Sequence, residues 1–411
     1  MGNAFPDGTE IGDWFEKYAT PEISELGTRY DVTDYGIRDD GKVYTEAFQK
    51  LIDLIAANGG GVAVLPAGTF VTGAIWLKQG VNLYLEEGAT ILGSDDIADY
   101  PVVDTRIEGE NCLYYPALIN GENLDGLFIG GRGVIDGNGL KSWEAFWKRR
   151  HWNPSCTNKD EQRARLLFLS GCSNVTISGI TMQNSMFWTS HIYKCRFVKF
   201  LGLHILSPKE PVKAPSTDAI DIDVCSDVLV KSCFISVNDD AVALKGGKGP
   251  NAHNHSDNGV NERIIIEDCH YGFCHGCLTF GSESIHDRNI IMRRIKVDSA
   301  NNLLWLKFRP DTVQHYELCS ISEVEGDVDT FINVFCWNQF ASKTFEQNSL
   351  PSKLNDIAIS NAEVNCRKIC SASHFSGDFS ARDFKVQDVT LRASNFGDKP
   401  DYIEFNIRNI V

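Results

Sequence analysis

The chain has 411 residues, 43% of them hydrophobic and 23% charged, and its 55 acidic against 39 basic side chains leave a formal net charge of −16. A field of that sign repels nucleic acid and anionic lipid in bulk, which excludes a nucleic-acid-binding role. No apolar run reaches the length of a membrane span, so membrane insertion is not expected.

Thirty-five glycines beside only four methionines fit many short strands and tight turns better than a helical bundle. Composition does not shift along the chain, and elongated repeat folds grow by adding coils to one core. One unit over residues 1–411 is therefore expected: an N-terminal extension to about residue 30, a capping helix and first coils over about 31–165, and central and C-terminal coils over about 166–411. The opening MGNAFPDGTE has no charged-then-apolar leader. The expectation is a secreted or periplasmic protein whose signal peptide has been removed, acting as a monomer. Thirteen cysteines form no zinc-type paired spacing, and Cys274 with Cys277 is an isolated pair. They are expected to be buried small hydrophobes.

The stretch TDYGIRDDGKVYTEAFQKLIDLIAANGGGVAVLPAGTF, from Thr33, reads as a strand, a turn at Asp40-Gly41, a helix and a second strand. In the helix Phe48, Leu51, Ile52 and Ile55 share one stripe, with Thr45 as N-cap and Gly59 just past the end. Such a helix covers the apolar end of a solenoid. From about residue 165 a short unit of alternating apolar residues recurs: NVTISGITMQ from Asn174, FVKFLGLHIL from Phe197, DVLVKSCFIS from Asp227, RIIIEDCHYG from Arg263, NIIMRRIKVD from Asn289, HYELCSISEV from His315, DIAISNAEVN from Asp356 and DFKVQDVTLR from Asp383. A period of roughly 20 to 50 residues with β-branched content predicts a β-helix. Longer gaps, such as Gly246 to Glu262, become loops that build a cleft and close one end of it.

Three carboxylates stand out on this frame: Asp218 in PSTDAIDID, and Asp239 and Asp240 in SVNDDAVALKGG. Asp218 and Asp239 are about one coil apart, so stacking would set them on adjacent rungs roughly 4.8 Å apart. Carboxylates held that close cannot all ionise, and one keeps a proton while another stays charged, as glycoside hydrolysis requires. Any one of them has a structural explanation, because Asp in turns satisfies backbone donors. The ordered set carries more: His275 follows in CHGCLTFGSE and Lys307 in NNLLWLKFRP, each at the matching place in a later coil.

These motifs resemble glycoside hydrolase family 28, the polygalacturonase family, which carries in order Asn-Thr-Asp, Asp-Asp, Gly-His-Gly and Arg-Ile-Lys. Ser216-Thr217-Asp218, Asn238-Asp239-Asp240, Cys274-His275-Gly276 and Trp305-Leu306-Lys307 occupy those places, and GAIWLKQGVNLYLEEGATILGSDD and GRGVIDGNG resemble the opening coils. The resemblance implies a single-stranded right-handed parallel β-helix and an inverting hydrolase of α-galacturonosyl linkages in pectin. In it Asp239 is the general acid, Asp218 and Asp240 position and deprotonate water, and His275 sits beside the acid. It implies no metal and no cofactor, and a pectic polysaccharide or oligogalacturonide as substrate. The rivals are a β-helix pectin or pectate lyase using Ca²⁺, and a noncatalytic polysaccharide-binding β-helix.

Two departures stand against the pattern. Ser216 replaces Asn, and Trp305 replaces Arg, which removes a guanidinium expected to hold a substrate carboxylate. Trp305, Lys307 and Arg309 alternate along one strand, so Arg309 is a candidate to supply that cation, with pairing to Asp311 as the structural alternative. The segment NSMFWTSHIYKC resembles a cleft-lining stretch and makes Trp188 and His191 candidates for sugar contact. Lys213, Lys245 and Lys248 are candidates for the local positive potential that the acidic bulk lacks. Homogalacturonan, rhamnogalacturonan and substituted galacturonan all remain open as substrates, as do endo and exo action.

Overall fold

The computed structural model describes residues 3–339, 341, 352–373 and 379–410, with side chains described to residue 408; Met1 and Gly2 of the N-terminal extension lie outside the described residues. Among the described residues, twenty-six strands join into one ladder in which every strand pairing is parallel, forming a right-handed β-helix. Each coil turns apolar side chains inward. In Ile220–Asp223, for example, Ile220 and Ile222 enter the continuous core while Asp221 and Asp223 face outward. A separate antiparallel hairpin, Val103–Ile107 with Glu110–Tyr114, projects from the ladder.

The repeating unit has a conformational cause. Asn174, Phe197, Asp227, Arg263, Asn289, Asp356 and Asp383, the first residues of seven of the eight copies, all have φ between 52° and 58°. A residue in this left-handed region breaks the extended run and turns the chain into the next strand. The eighth copy is framed differently from the expectation: its corner is Leu318, φ 56°, with Cys319 paired to Ile290, so the coil begins at Leu318 and not at His315. A leucine occupies a site where Asp or Asn marks most other copies, which hid the true frame.

Helix α1, Thr45–Ala57, buries Phe48, Leu51, Ile52 and Ile55 against the first coils, as its stripe requires. Thr45 is its first helical residue instead of its cap, and its hydroxyl accepts from the Gly73 N–H at 2.6 Å. Gly59 lies past the end at φ 90°. A second helix, α2, Leu140–Trp152, has no counterpart in the sequence reading, because it buries only Trp143 and Phe146 and shows little apolar periodicity. Its indoles fasten it to two loops: Trp143 Nε1 donates to Ser185 O at 2.9 Å and Trp147 Nε1 to Lys213 O at 2.7 Å. The N-terminal extension runs along the outside of the coils, where Phe5, Ile11 and Phe15 cover the outward-facing Leu201, Leu229, Ile265 and Ile291. Eleven of the thirteen cysteines are buried, Cys112 and Cys336 being half-buried, and all thirteen are free thiols.

A left-handed backbone costs an ordinary L-residue about 1 kcal/mol, and asparagine tolerates it best. Leu318→Asn is therefore expected to raise stability by up to about 1 kcal/mol and Leu318→Val to lower it. The midpoint of chemical denaturation checks both.

Candidate active site

Five strands position the site: β1, Ser190–Tyr193; β2, Ile220–Asp223; β3, Val242–Lys245; β4, His270–Phe280; and β5, His286–Phe308. Their register is Ser190 beside Ile220, Ile220 beside Val242, Val242 beside Leu278, and Leu278 beside Leu304. Extended back past the strand starts, it aligns Trp188, Asp218, Asp240, Gly276 and Asn302 in one column, and the Ala219 N–H donates to Asp240 O at 2.9 Å in keeping with that alignment. The direct neighbour of Asp218 is therefore Asp240, and the expected Asp218–Asp239 stacking is displaced by one residue. Asp239 stands just before the column, its backbone oxygen accepting from the His275 N–H at 2.8 Å.

Oxygen atoms of Asp218, Asp239 and Asp240 all lie within 4.8 Å of one another, a spacing that could also hold a cation. Gly276 leaves the room they need, since a Cβ there would stand 2.9 Å from Asp240 Oδ1 and closer still to Thr279 Oγ1. Lys307 Nζ donates to Asp240 Oδ2 at 2.8 Å, and His275 Nδ1 lies 3.4 Å from Asp239 Oδ1. Asp218 and Asp240 are buried, whereas the Asp239 side chain is 27% exposed and His275 23%. Lys245 Nζ sits behind the acids, 3.8 Å from Asp218, 3.5 Å from Asp221 and 3.6 Å from Glu283.

Burial and the adjacent charges of Asp239 and Asp221 push the Asp218 carboxyl well above its ordinary range, against the pull of Lys245. Burial likewise raises Asp221 to about 8, opposed by Lys245 and reinforced by Asp240 and Asp239. Burial would raise Asp239 too, but the His275 hydrogen bond, the His275 charge, and Lys307 and Lys245 outweigh it and hold this carboxyl below its usual value. In the substrate-free site the environment therefore favours the proton on Asp218 and Asp221 over Asp239. This differs from the expectation of a protonated Asp239. Lys245 stays charged despite burial because Asp221, Glu283 and Asp218 surround it.

Several expected substrate contacts fall elsewhere. His191 is fully buried, with Arg165 Nη1 2.7 Å from its Nδ1 and Asp223 Oδ2 3.2 Å from its Nε2. Burial, and then the Arg165 charge against the Asp223 hydrogen bond, brings its pKa down to about 4, so it is a neutral structural ring. Trp188 is buried and stacks on Phe187, ring centres 5.1 Å apart, so neither residue offers a face to a sugar. Arg309 is also buried and bonded to Asp311 in bidentate fashion, Nε to Oδ1 at 2.8 Å and Nη2 to Oδ2 at 2.9 Å. The alternation that pointed it at the cleft ends with the strand at Phe308. Lys248 pairs with Glu108 and Glu110, while Lys213 is exposed at the rim. Ser216 has φ 53°, a backbone in which asparagine is the easier residue. The residues missed were Asp221 and Asp223, whose signal was present in the alternation of IDID. Arg106 and Arg165 had none, because long-range packing alone brings Arg106 Nε 2.7 Å from Asp223.

The floor is closed beside the acids. One rung before Asp218, Trp188 is packed under Ile107 and Tyr114 of the hairpin. The insertion after Gly246 folds onto the same hairpin, with Asn111 Nδ2 donating to Asp257 Oδ2 at 2.7 Å and Arg106 Nη2 to Asn258 Oδ1 at 3.0 Å. On the other side the floor continues through Trp305, whose ring lies 3.9 Å from Lys307 Nζ, and Trp337.

The sequence profile of glycosyl hydrolases family 28 matches residues 103–307, the stretch that holds the hairpin, the acids, His275 and Lys307. The chain belongs to this family. It is 32% identical over 228 residues to a probable polygalacturonase of Vitis vinifera, covering 53% of this chain and 44% of the relative. It is 26% identical over 325 residues to the exo-poly-alpha-D-galacturonosidase of Dickeya chrysanthemi, covering 68% and 51%. The chain thus spans about half the length of these curated relatives. In fold it is similar to a hyperthermoactive exopolygalacturonase from Thermotoga maritima, with a TM-score of 0.77 at 20% identity over 97% of this chain and 94% of that one.

Because its folded pKa near 8 lies above the ordinary 3.8, Asp221 contributes its full stability below the unfolded value and loses it as pH rises through about 8. Asp221→Asn removes that titration. The denaturation free energy of the variant is expected to fall less steeply than that of the wild type between about pH 4 and pH 8.

Proposed function

We propose that the protein hydrolyses α-D-galacturonosyl linkages in pectin and acts from a chain end, releasing the terminal sugar. The observation that carries this reading is a set of three close carboxylates, one of them open to solvent, standing next to a floor that stops one rung away. The relatives, a probable polygalacturonase and an exo-poly-alpha-D-galacturonosidase among them, support the substrate and the mode. Because pectin is an extracellular polymer, a secreted or periplasmic enzyme acting as a monomer belongs to the same reading.

In this mechanism Asp239, the exposed member, gives its proton to the glycosidic oxygen as the bond to the anomeric carbon breaks. Water held by Asp218 and Asp240 attacks that carbon from the opposite face and passes its proton to Asp218. Asp240 Oδ1 is buried and has no hydrogen-bond partner among the described residues, which leaves it an acceptor for that water. Substrate binding sets the protonation. A sugar over the site removes the exposure of Asp239, and a substrate carboxylate near His275 offsets part of the charge that holds the acid low. The proton then moves within the coupled cluster from Asp218 to Asp239, creating acid and base in one step. The closest oxygens lie within 4.8 Å, under the roughly 6.5 to 9.5 Å typical of inverting pairs, so inversion rests here on family membership.

Chromatography of an oligogalacturonide digest is expected to show galacturonic acid alone from the earliest time points, and NMR the inverted anomer. Oligomer ladders would indicate endo action, and an ultraviolet-absorbing unsaturated product would indicate a lyase. Asp239→Asn is isosteric and is expected to keep its fold while losing about 10² to 10⁴ in turnover. A variant with more than about a tenth of the wild-type rate would remove Asp239 from the acid's role.

A further inference from the structure

We infer that the subsite on the open side of the acids is built for an uncharged pyranose and not for a second uronate; this rests on the hydrolase reading above and deepens it. Its wall is aromatic. Trp305 and Trp337 meet edge to face with ring centres 5.9 Å apart, and Phe335 continues the wall 6.0 Å from Trp337 with 37% of its surface exposed. Flat apolar faces of this kind pack on the C–H face of a pyranose.

Two neutral amides, Asn333 and Asn302, border this wall. Asn333, level with Trp305 in the next coil, donates from Nδ2 to Asn302 Oδ1 at 2.9 Å, and its own Oδ1 is buried without a partner among the described residues. Amides of this sort recognise hydroxyls, whereas a carboxylate asks for a guanidinium or ammonium.

Two cations beside this wall, Lys307 and Arg309, are already engaged. Lys307 lies 93% shielded under the indoles with its ammonium on Asp240, and Arg309 is bonded to Asp311. Trp305 stands where a guanidinium was expected, and Lys307 and Arg309 already hold Asp240 and Asp311, so a second sugar carboxylate would have to compete with those carboxylates for either cation. The aromatic contact selects a ring, and the engagement of Lys307 and Arg309 leaves a charged ring the weaker fit.

The test uses three substrates with the same terminal galacturonosyl group, linked in turn to galacturonate, to its methyl ester and to a neutral 6-deoxyhexose. The two uncharged partners distinguish an esterified uronate from a neutral sugar as the source. Wild-type kcat/KM is expected to be about tenfold higher for an uncharged partner than for free galacturonate. Trp305→Ala should reduce that ratio by about as much, and Trp305→Arg should reverse it. Thermal melts of both variants, with Trp337→Ala as a second probe, separate specificity from misfolding. A wild type that prefers free galacturonate, or a Trp305→Ala ratio equal to that of the wild type, overturns the inference while the hydrolase reading stands. If none of the three is cleaved, the hydrolase reading fails, and indole fluorescence titration with methyl glycosides decides the subsite: tighter binding of the neutral sugar, lost in Trp305→Ala, supports it, and equal or tighter binding of the uronate overturns it.

Discussion

Parallel stacking of coils sets equivalent positions about 4.8 Å apart along the column, whatever side chains occupy them. In most columns the occupants are apolar and the spacing simply packs a core. In the column through Asp218 and Asp240 the same spacing forces two carboxylates together, and Asp239 at the column's edge brings a third. The arrangement holds because other groups meet its cost: Lys307 bonds Asp240, Lys245 lies behind Asp218 and Asp221, His275 sits against Asp239, and Gly276 gives up its side chain. The upward shift of the Asp218 and Asp221 carboxyls, which favours their neutral forms, completes the compensation. Shared protons are what acid and base catalysis needs, so one constraint produces both the strain and the chemistry.

The hairpin and the insertion after Gly246 close the floor on one side of the acids, the feature on which the proposed chain-end action rests. Ile107 and Tyr114 cover Trp188, and Arg106 reaches the buried Asp223 from the same hairpin, so the lid is tied to the layer beneath the acids by a desolvated ion pair. Removing one partner of such a pair leaves a buried charge uncompensated, which makes the closed end a rigid part of the fold. On the open side the floor is free to continue, and its aromatic surface shapes what may lie there. The closed end thus arises from loops carried on a uniform core.

The fold was legible because the repeat carries two physical marks, inward alternation and a left-handed corner, and seven of eight copies begin at that corner. Leu318 broke the second mark, and the frame slipped by three residues there. The acids and His275 were legible because they recur at coil spacing with motif neighbours. Their protonation was not, since it depends on Lys245, Lys307 and Asp221 acting through buried distances that no local pattern encodes. Arg309 and His191 looked like ligands because alternation and motif place them on the cleft strands. Their true partners, Asp311 beyond the strand end and Asp223 one coil on, come from packing. Helix α2 escaped notice for a similar reason, being held by two indole hydrogen bonds and not by an apolar stripe.

The claim on which this account depends is that one terminal sugar lies between the covered Trp188 and the three carboxylates. A crystal structure of Asp239→Asn with a short oligosaccharide whose terminal galacturonosyl group is linked to an uncharged sugar measures this directly. The account predicts one ring on the closed side above Asp218, the next over the Trp305 wall, and the glycosidic oxygen between them within hydrogen-bond reach of residue 239. A chain that runs past Trp188 on both sides of the acids, or a scissile oxygen out of reach of residue 239, would contradict it.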